Sequence, residues 1–157
     1  MFRANRIAAL ALALTILALA GGCGGGKEEV TAAELDQKGD QICQEEQGKF
    51  NQIQSQPLAN ASVAADQTKH LVQVSETAQS ALDDLEPPDE LRTALDSYLS
   101  ARARAIDQMK KGQEAAENQD SAAYAAAQSA VVKTAPERKK LAASLGFKVC
   151  SASPGTA

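Results

Sequence analysis

The chain is 157 residues long and carries 16 Lys and Arg against 20 Asp and Glu, a formal net charge of −4. That balance argues against a nucleic-acid binder or a body lying flat on anionic lipid, since both need surplus positive charge. Aromatic residues are 3% of the chain and tryptophan is absent, so a core must come from Leu, Ile, Val and much Ala. The opening residues, MFRANR, hold Arg3 and Arg6 and no acid, and Ile7 to Ala20 is apolar except for Thr15. A basic start, a short apolar run and small residues before a cut make a secretory signal. The run falls short of the roughly 20 residues that span a bilayer, and Gly21 and Gly22 end it.

The stretch LAGGC, ending at Cys23, resembles the lipobox of bacterial lipoproteins, with Ala20 where that family favours Leu. The resemblance implies a diacylglyceryl group on the Cys23 sulfur and cleavage just before it. Residues 1–22 then form a lipoprotein signal peptide, 23–30 a flexible lipid-anchored tether, 31–150 the folded domain and 151–157 a disordered tail. Two acyl chains hold a protein stably where one is marginal, and the polar, glycine-rich tether is flexible. About 135 residues remain after cleavage, enough for one domain with a modest core. Loss of Arg3 and Arg6 leaves 14 basic against 20 acidic residues, so the charge moves to −6. Attachment to the outer face of the cytoplasmic membrane is expected through the lipid on Cys23 alone.

With Cys23 taken by lipid, Cys43 and Cys150 remain in an oxidising compartment and are expected to pair. The alternative, a metal held by thiols, lacks the close spacing of zinc sites.

Helix one opens on a T-x-x-E capping box, Thr31 and Glu34, with Val30 and Leu35 at the staple positions. Leu35, Ile42, Phe50 and Ile53 recur at helical spacing beside Cys43, and Pro57 closes the segment after about Gln54. Asn60 or Ser62 caps helix two. Its expected seam is Ala64, Gln67, Leu71, Val74, Ala78, Ala81 and Leu85, a heptad-like spacing suited to a left-handed bundle. Pro87-Pro88 ends it, and helix three starts there with Asp89 and Glu90 favourable to the helix dipole. Leu91, Leu95, Tyr98, Arg102, Ala105, Met109 and Gly112 continue the seam, broadened by Leu99 and Ile106. Arg102 is the irregular member. It is expected to snorkel from the seam edge, with a buried ion pair or a ligand contact beside Tyr98 as the alternatives.

A polar break at Asn118, Gln119 and Asp120 precedes helix four, whose seam holds Tyr124, Ala127, Val131, Ala135, Arg138, Leu141 and Leu145. Pro136 should kink it. Gly146-Phe147 fits a Schellman end with Phe147 folded back. The expected fold is all-α: an antiparallel four-helix up-down-up-down bundle, with helices one and four adjacent so that Cys43 and Cys150 meet. The body also resembles a group of small actinobacterial exported helical proteins, through DQICQEEQGKFNQI, LEPPDELRTAL and LGFKVC. That resemblance implies the fold and brings no activity with it.

Reactive chemistry is sparse. His70 is the single histidine and sits beside the Leu71 stripe, which removes most general-base and triad arrangements. No Glu-x-x-His pair or C-x-x-C-H motif occurs, and no cofactor is expected. The acidic groups Glu45-Glu46 and Asp83-Asp84-Glu86 with Asp89-Glu90 are the remaining candidates. The second surrounds the Pro-Pro turn, where it could attract a divalent cation weakly, but it lacks the loop spacing of an EF-hand and reads better as a solvated helix end. The expected function is a non-enzymatic, lipid-anchored interaction or scaffold module of the cell envelope with a protein partner. The alternative is a carrier or sensor of a small apolar ligand or metal held between helices, near Tyr98 and Arg102.

Overall fold

In a computed structural model, which describes residues 30–152, every regular element is a helix. The expected signal peptide, Cys23, the tether up to residue 29 and the tail beyond 152 lie outside the described residues. Helix α1 (Ala32–Gln54) starts at the capping box: the Thr31 hydroxyl accepts from the Glu34 N–H at 3.3 Å, and the Glu34 carboxylate accepts from the Thr31 N–H at 2.8 Å. Helix α2 (Ala61–Asp83) is capped by Asn60, whose Oδ1 accepts from the Val63 N–H at 3.0 Å. Pro87 and Pro88 form the next turn, and α3 (Asp89–Glu117) begins directly after them with Asp89 and Glu90 in its first turn. At this end of the molecule the Val30 N–H donates to the Glu86 carbonyl at 2.9 Å, so the incoming chain is tied to the α2–α3 turn.

Helix α3 ends without glycine. Gln119 takes a positive φ of 57°, and the Gln119 and Asp120 N–H groups donate to the carbonyls of Ala116 and Ala115. These are the two bonds of a Schellman motif, in which the left-handed residue is usually glycine. Asp120 then caps α4 (Ser121–Lys133) by accepting from the Ala123 N–H at 2.9 Å.

The expected fourth helix is divided. Thr134 separates α4 from α5 (Ala135–Ser144), and Pro136 stands in the first turn of α5, where its missing N–H matters least. The second Schellman motif follows expectation: Gly146 has φ 87°, and the Phe147 N–H donates to the Ala142 carbonyl at 3.1 Å. The single-turn helix α6 (Lys148–Ser151) closes the described chain, so Ser151, expected in the tail, is helical.

Helix α3 is central, in contact with α2, α4 and α5. Helix α1 packs on α2 and on α6, which differs from the lengthwise pairing with helix four expected from the sequence. The core gathers Leu35, Leu82, Leu95, Tyr98, Leu99, Ala142, Leu145 and Phe147, with Phe147, Leu35 and Leu82 fully buried. Gly39 of α1 gives the Phe147 ring its place, because a Cβ there would overlap the ring. The Tyr98 and Phe147 rings meet edge to face, 5.9 Å apart.

Of the expected α2 seam, Gln67 and Ala78 are buried. The rest of the buried face lies one position along: Ala65, Thr68, Val72, Ser75 and Leu82 are buried, while Ala64, Leu71, Val74, Ala81 and Leu85 are half-buried. Hydroxyl residues could enter the seam because their groups are satisfied locally. The Thr68 hydroxyl donates to the Ala64 carbonyl at 2.7 Å, and the Ser75 hydroxyl lies 3.8 Å from the Met109 sulfur.

Candidate functional site

Tyr98 and Arg102 stand one turn apart on α3 and therefore share a face. That face meets α1, where Cys43, Glu46 and Phe50 are spaced three and four apart on one side of the helix. Arg102 does not snorkel. Its guanidinium turns inward and grips Glu46 with two hydrogen bonds, at 2.9 and 3.0 Å, the side chains being only 9% and 12% exposed. Glu46, one of the acidic candidates in the sequence, is thus the largely covered partner of Arg102. Its position one turn after Cys43, on the inward face, is the sequence signal that marks it.

The rest of the Arg102 fork is held as well. Its Nε donates to Gln79 Oε1 at 3.2 Å, while the Gln79 amide donates to the Leu99 carbonyl at 3.1 Å. The Tyr98 hydroxyl lies 3.5 Å from the guanidinium, whose carbon sits 5.8 Å from the ring centre. Burial alone would lower the Arg102 pKa. The charge and hydrogen bonds of Glu46, with help from Tyr98, outweigh it and raise the value. Burial likewise pushes the Tyr98 phenol up, with Arg102 opposing.

Cys43 and Cys150 lie at disulfide-bonding distance, with Cα atoms 5.3 Å apart and 107 positions between them in sequence. The Cys43 sulfur is 3.8 Å from the Tyr98 hydroxyl, so the bridge borders the same polar cluster. It joins the middle of α1 to α6.

Beside this cluster, between α1, α3 and the α4–α5 junction, lies a cleft of about 430 Å³. Phe50, Ile106, Met109, Val131 and Ala135 supply apolar wall, and Arg102 and Arg138 supply charge. The division of the fourth helix at Thr134 sets Val131 and Ala135 at its mouth. Arg138, on the second turn of α5, is half-buried, and one Nη donates to the Val131 carbonyl at 3.1 Å. Its Nε is buried with no hydrogen-bond partner. Burial first, and then the charge of Arg102, push its pKa below the ordinary guanidinium value, while Tyr98 and Glu46 draw it the other way.

The structure therefore brings Tyr98, Arg102, Cys43 and Cys150 into one neighbourhood and adds Glu46, Gln79 and Arg138. Cys23 lies outside the described residues. His70 is exposed and borders a shallow groove with Lys49, Ile53 and Val74, away from the arginines. Among the described residues no three His, Cys, Asp or Glu side chains converge to hold a metal, and no helix is long and apolar enough to cross a membrane. Compared with protein-family models, with curated proteins and with solved structures, the chain matches none.

Proposed function

We propose that this protein is a lipid-anchored, non-enzymatic binding module of the cell envelope that takes a small molecule into the cleft between α1, α3 and α5. In this reading the described helices are a four-helix up-down-up-down bundle whose fourth member is the broken pair α4–α5. Cys23 carries the lipid at the outer face of the cytoplasmic membrane and begins the tether, residues 23–30. The tether extends at most about 25 Å, from roughly 3.5 Å per residue. Glu46 lies about 20 Å along α1 from its start, at 1.5 Å per residue. A tether of that reach lets the cleft open to solution above the lipid surface.

The cleft carries the reading. Its volume falls within the 300–1,000 Å³ typical of small-molecule sites, and its mostly apolar wall with a few convergent polar groups has their usual make-up. A scaffold that docks a protein through an apolar face has less support. Among the described residues the large exposed hydrophobics are Leu58 and Val132, and scattered single residues of this kind are ordinary surface.

Native mass spectrometry of protein extracted gently from its own membranes tests both halves. The expected species starts at Cys23, carries diacylglycerol, lacks two hydrogens for the disulfide and retains a ligand. Release of the protein into the soluble fraction by Cys23→Ala is the matching cell fractionation result. A full-length chain with no acyl mass refutes the anchor. A lipidated chain that retains no ligand, and whose melting temperature no small-molecule extract raises, refutes the carrier half.

A further inference from the structure

We infer that the occupant of the cleft is an amphipathic monoanion, an acyl carboxylate whose head is held by Arg138 and whose chain lies on Phe50, Ile106, Met109 and Val131. The inference rests on the binding-module reading and adds the chemistry of the ligand.

Among the described residues two guanidiniums, Arg102 and Arg138, and one carboxylate, Glu46, face one another across the cleft. Both Glu46 oxygens are engaged by Arg102, which leaves its charge matched. Among the described residues Arg138 has the Val131 carbonyl as its one hydrogen-bonded acceptor and an orphaned Nε, and burial together with Arg102 disfavours its charge. A half-buried guanidinium with spare donors is unfavourable unless something accepts from it. An anion would do so, and its natural geometry is the two-pronged bond that a carboxylate makes with arginine.

The remaining wall selects for the other end of the ligand. Phe50, Ile106, Met109 and Val131 offer apolar surface, and the unbranched Met109 side chain adapts to a flexible chain. A compact inorganic anion would leave this surface wet. A neutral hydrocarbon would leave Arg138 unanswered. An acyl carboxylate satisfies both.

Isothermal titration of the folded, disulfide-intact domain with laurate and with dodecanol separates the parts of this argument. Laurate is expected to bind at least about tenfold more tightly than the alcohol, since a charge-assisted hydrogen bond contributes about 1.5–3 kcal/mol and each 1.4 kcal/mol is tenfold. Arg138→Gln should remove that preference by weakening laurate at least about tenfold more than dodecanol, and Arg138→Lys should restore part of it. Inorganic phosphate should bind far more weakly than laurate. Equal affinity for acid and alcohol, or a preference that survives in Arg138→Gln, overturns the anion assignment and leaves the apolar site standing. No binding of either probe overturns the assignment and the binding-module reading together.

Discussion

The ring of Phe147 occupies the space where Gly39 would carry a side chain. Phe147 is fully buried, so it cannot swing aside to admit a methyl group. Gly39→Ala gains about 1 kcal/mol of helix propensity, yet the overlap should exceed that gain, since overpacking a dense core costs about 1–3 kcal/mol. A net loss in urea unfolding is expected. Phe147→Leu in the same chain should recover part of it, which a double-mutant cycle would read as coupling.

In the Arg102–Glu46 pair Arg102 is buried and Glu46 nearly so, and removal of one partner strands the other. Glu46→Gln should destabilise the fold by about 3–5 kcal/mol, the usual penalty for breaking such a pair. The double variant Arg102→Met, Glu46→Leu should recover most of that loss. Chemical denaturation of the three proteins checks it. A loss in the double variant as large as in Glu46→Gln would mean that the pair holds the fold by more than charge.

Much of this arrangement was written in local signals. The Thr31–Glu34 box, the Asn60 cap, the Pro87-Pro88 turn and the Gly146-Phe147 helix end each use a chemistry confined to a few neighbouring residues, and such signals survive without knowledge of the fold. The α2 seam was harder to read. Leu71 and Val74 outrank Thr68 and Ser75 in hydropathy, yet the hydroxyls are buried because a carbonyl one turn back and the Met109 sulfur receive them. Arg102 misled for a similar reason. Its burial depends on Glu46, 56 positions earlier, a tertiary partner that periodicity cannot supply. Arg138 stood in the expected seam, but its role follows only from the break at Thr134 that shapes the cleft.

Reduction of the Cys43–Cys150 bridge should lower stability by about 4–5 kcal/mol in the chain-entropy account of a loop of this length, which spans 107 positions. Cys43→Ser and Cys150→Ser should lose similar amounts, and the double variant little more than either. Denaturant midpoints with and without reductant provide the comparison. Additive losses would show that the two sulfurs act separately.

Gln119 holds a left-handed conformation at the end of α3 that favours glycine. Gln119→Gly should therefore stabilise the protein by up to about 1 kcal/mol. A rise of a few degrees in melting temperature is the expected sign, and Gln119→Val should lower it.

Tyr98 titrates above the ordinary tyrosine value because it is buried. A group whose folded pKa is raised contributes stability that is fully present below its unfolded pKa and lost as pH rises through the folded one. The fold should thus begin to weaken above about pH 10. Tyr98→Phe should flatten that alkaline fall, as read from unfolding midpoints between neutral and alkaline pH. An unchanged slope would assign the fall to other groups.

The bridge from the middle of α1 to α6 also decides where tension runs. Among the described residues, a pull along the chain is borne by the backbone from Val30 to Cys43 and from Cys150 onward. The turns of α1 before Cys43 can pay out from about 1.5 to about 3.4 Å per residue. They act as a short spring that starts where Val30 is tied to Glu86. Once the Val30–Glu86 tie gives way, the backbone between Cys43 and Cys150 is bypassed by the covalent shunt. The bridge itself lines the cleft, so a pull on the ends reaches the site through its two sulfurs rather than through the helices that carry the arginines.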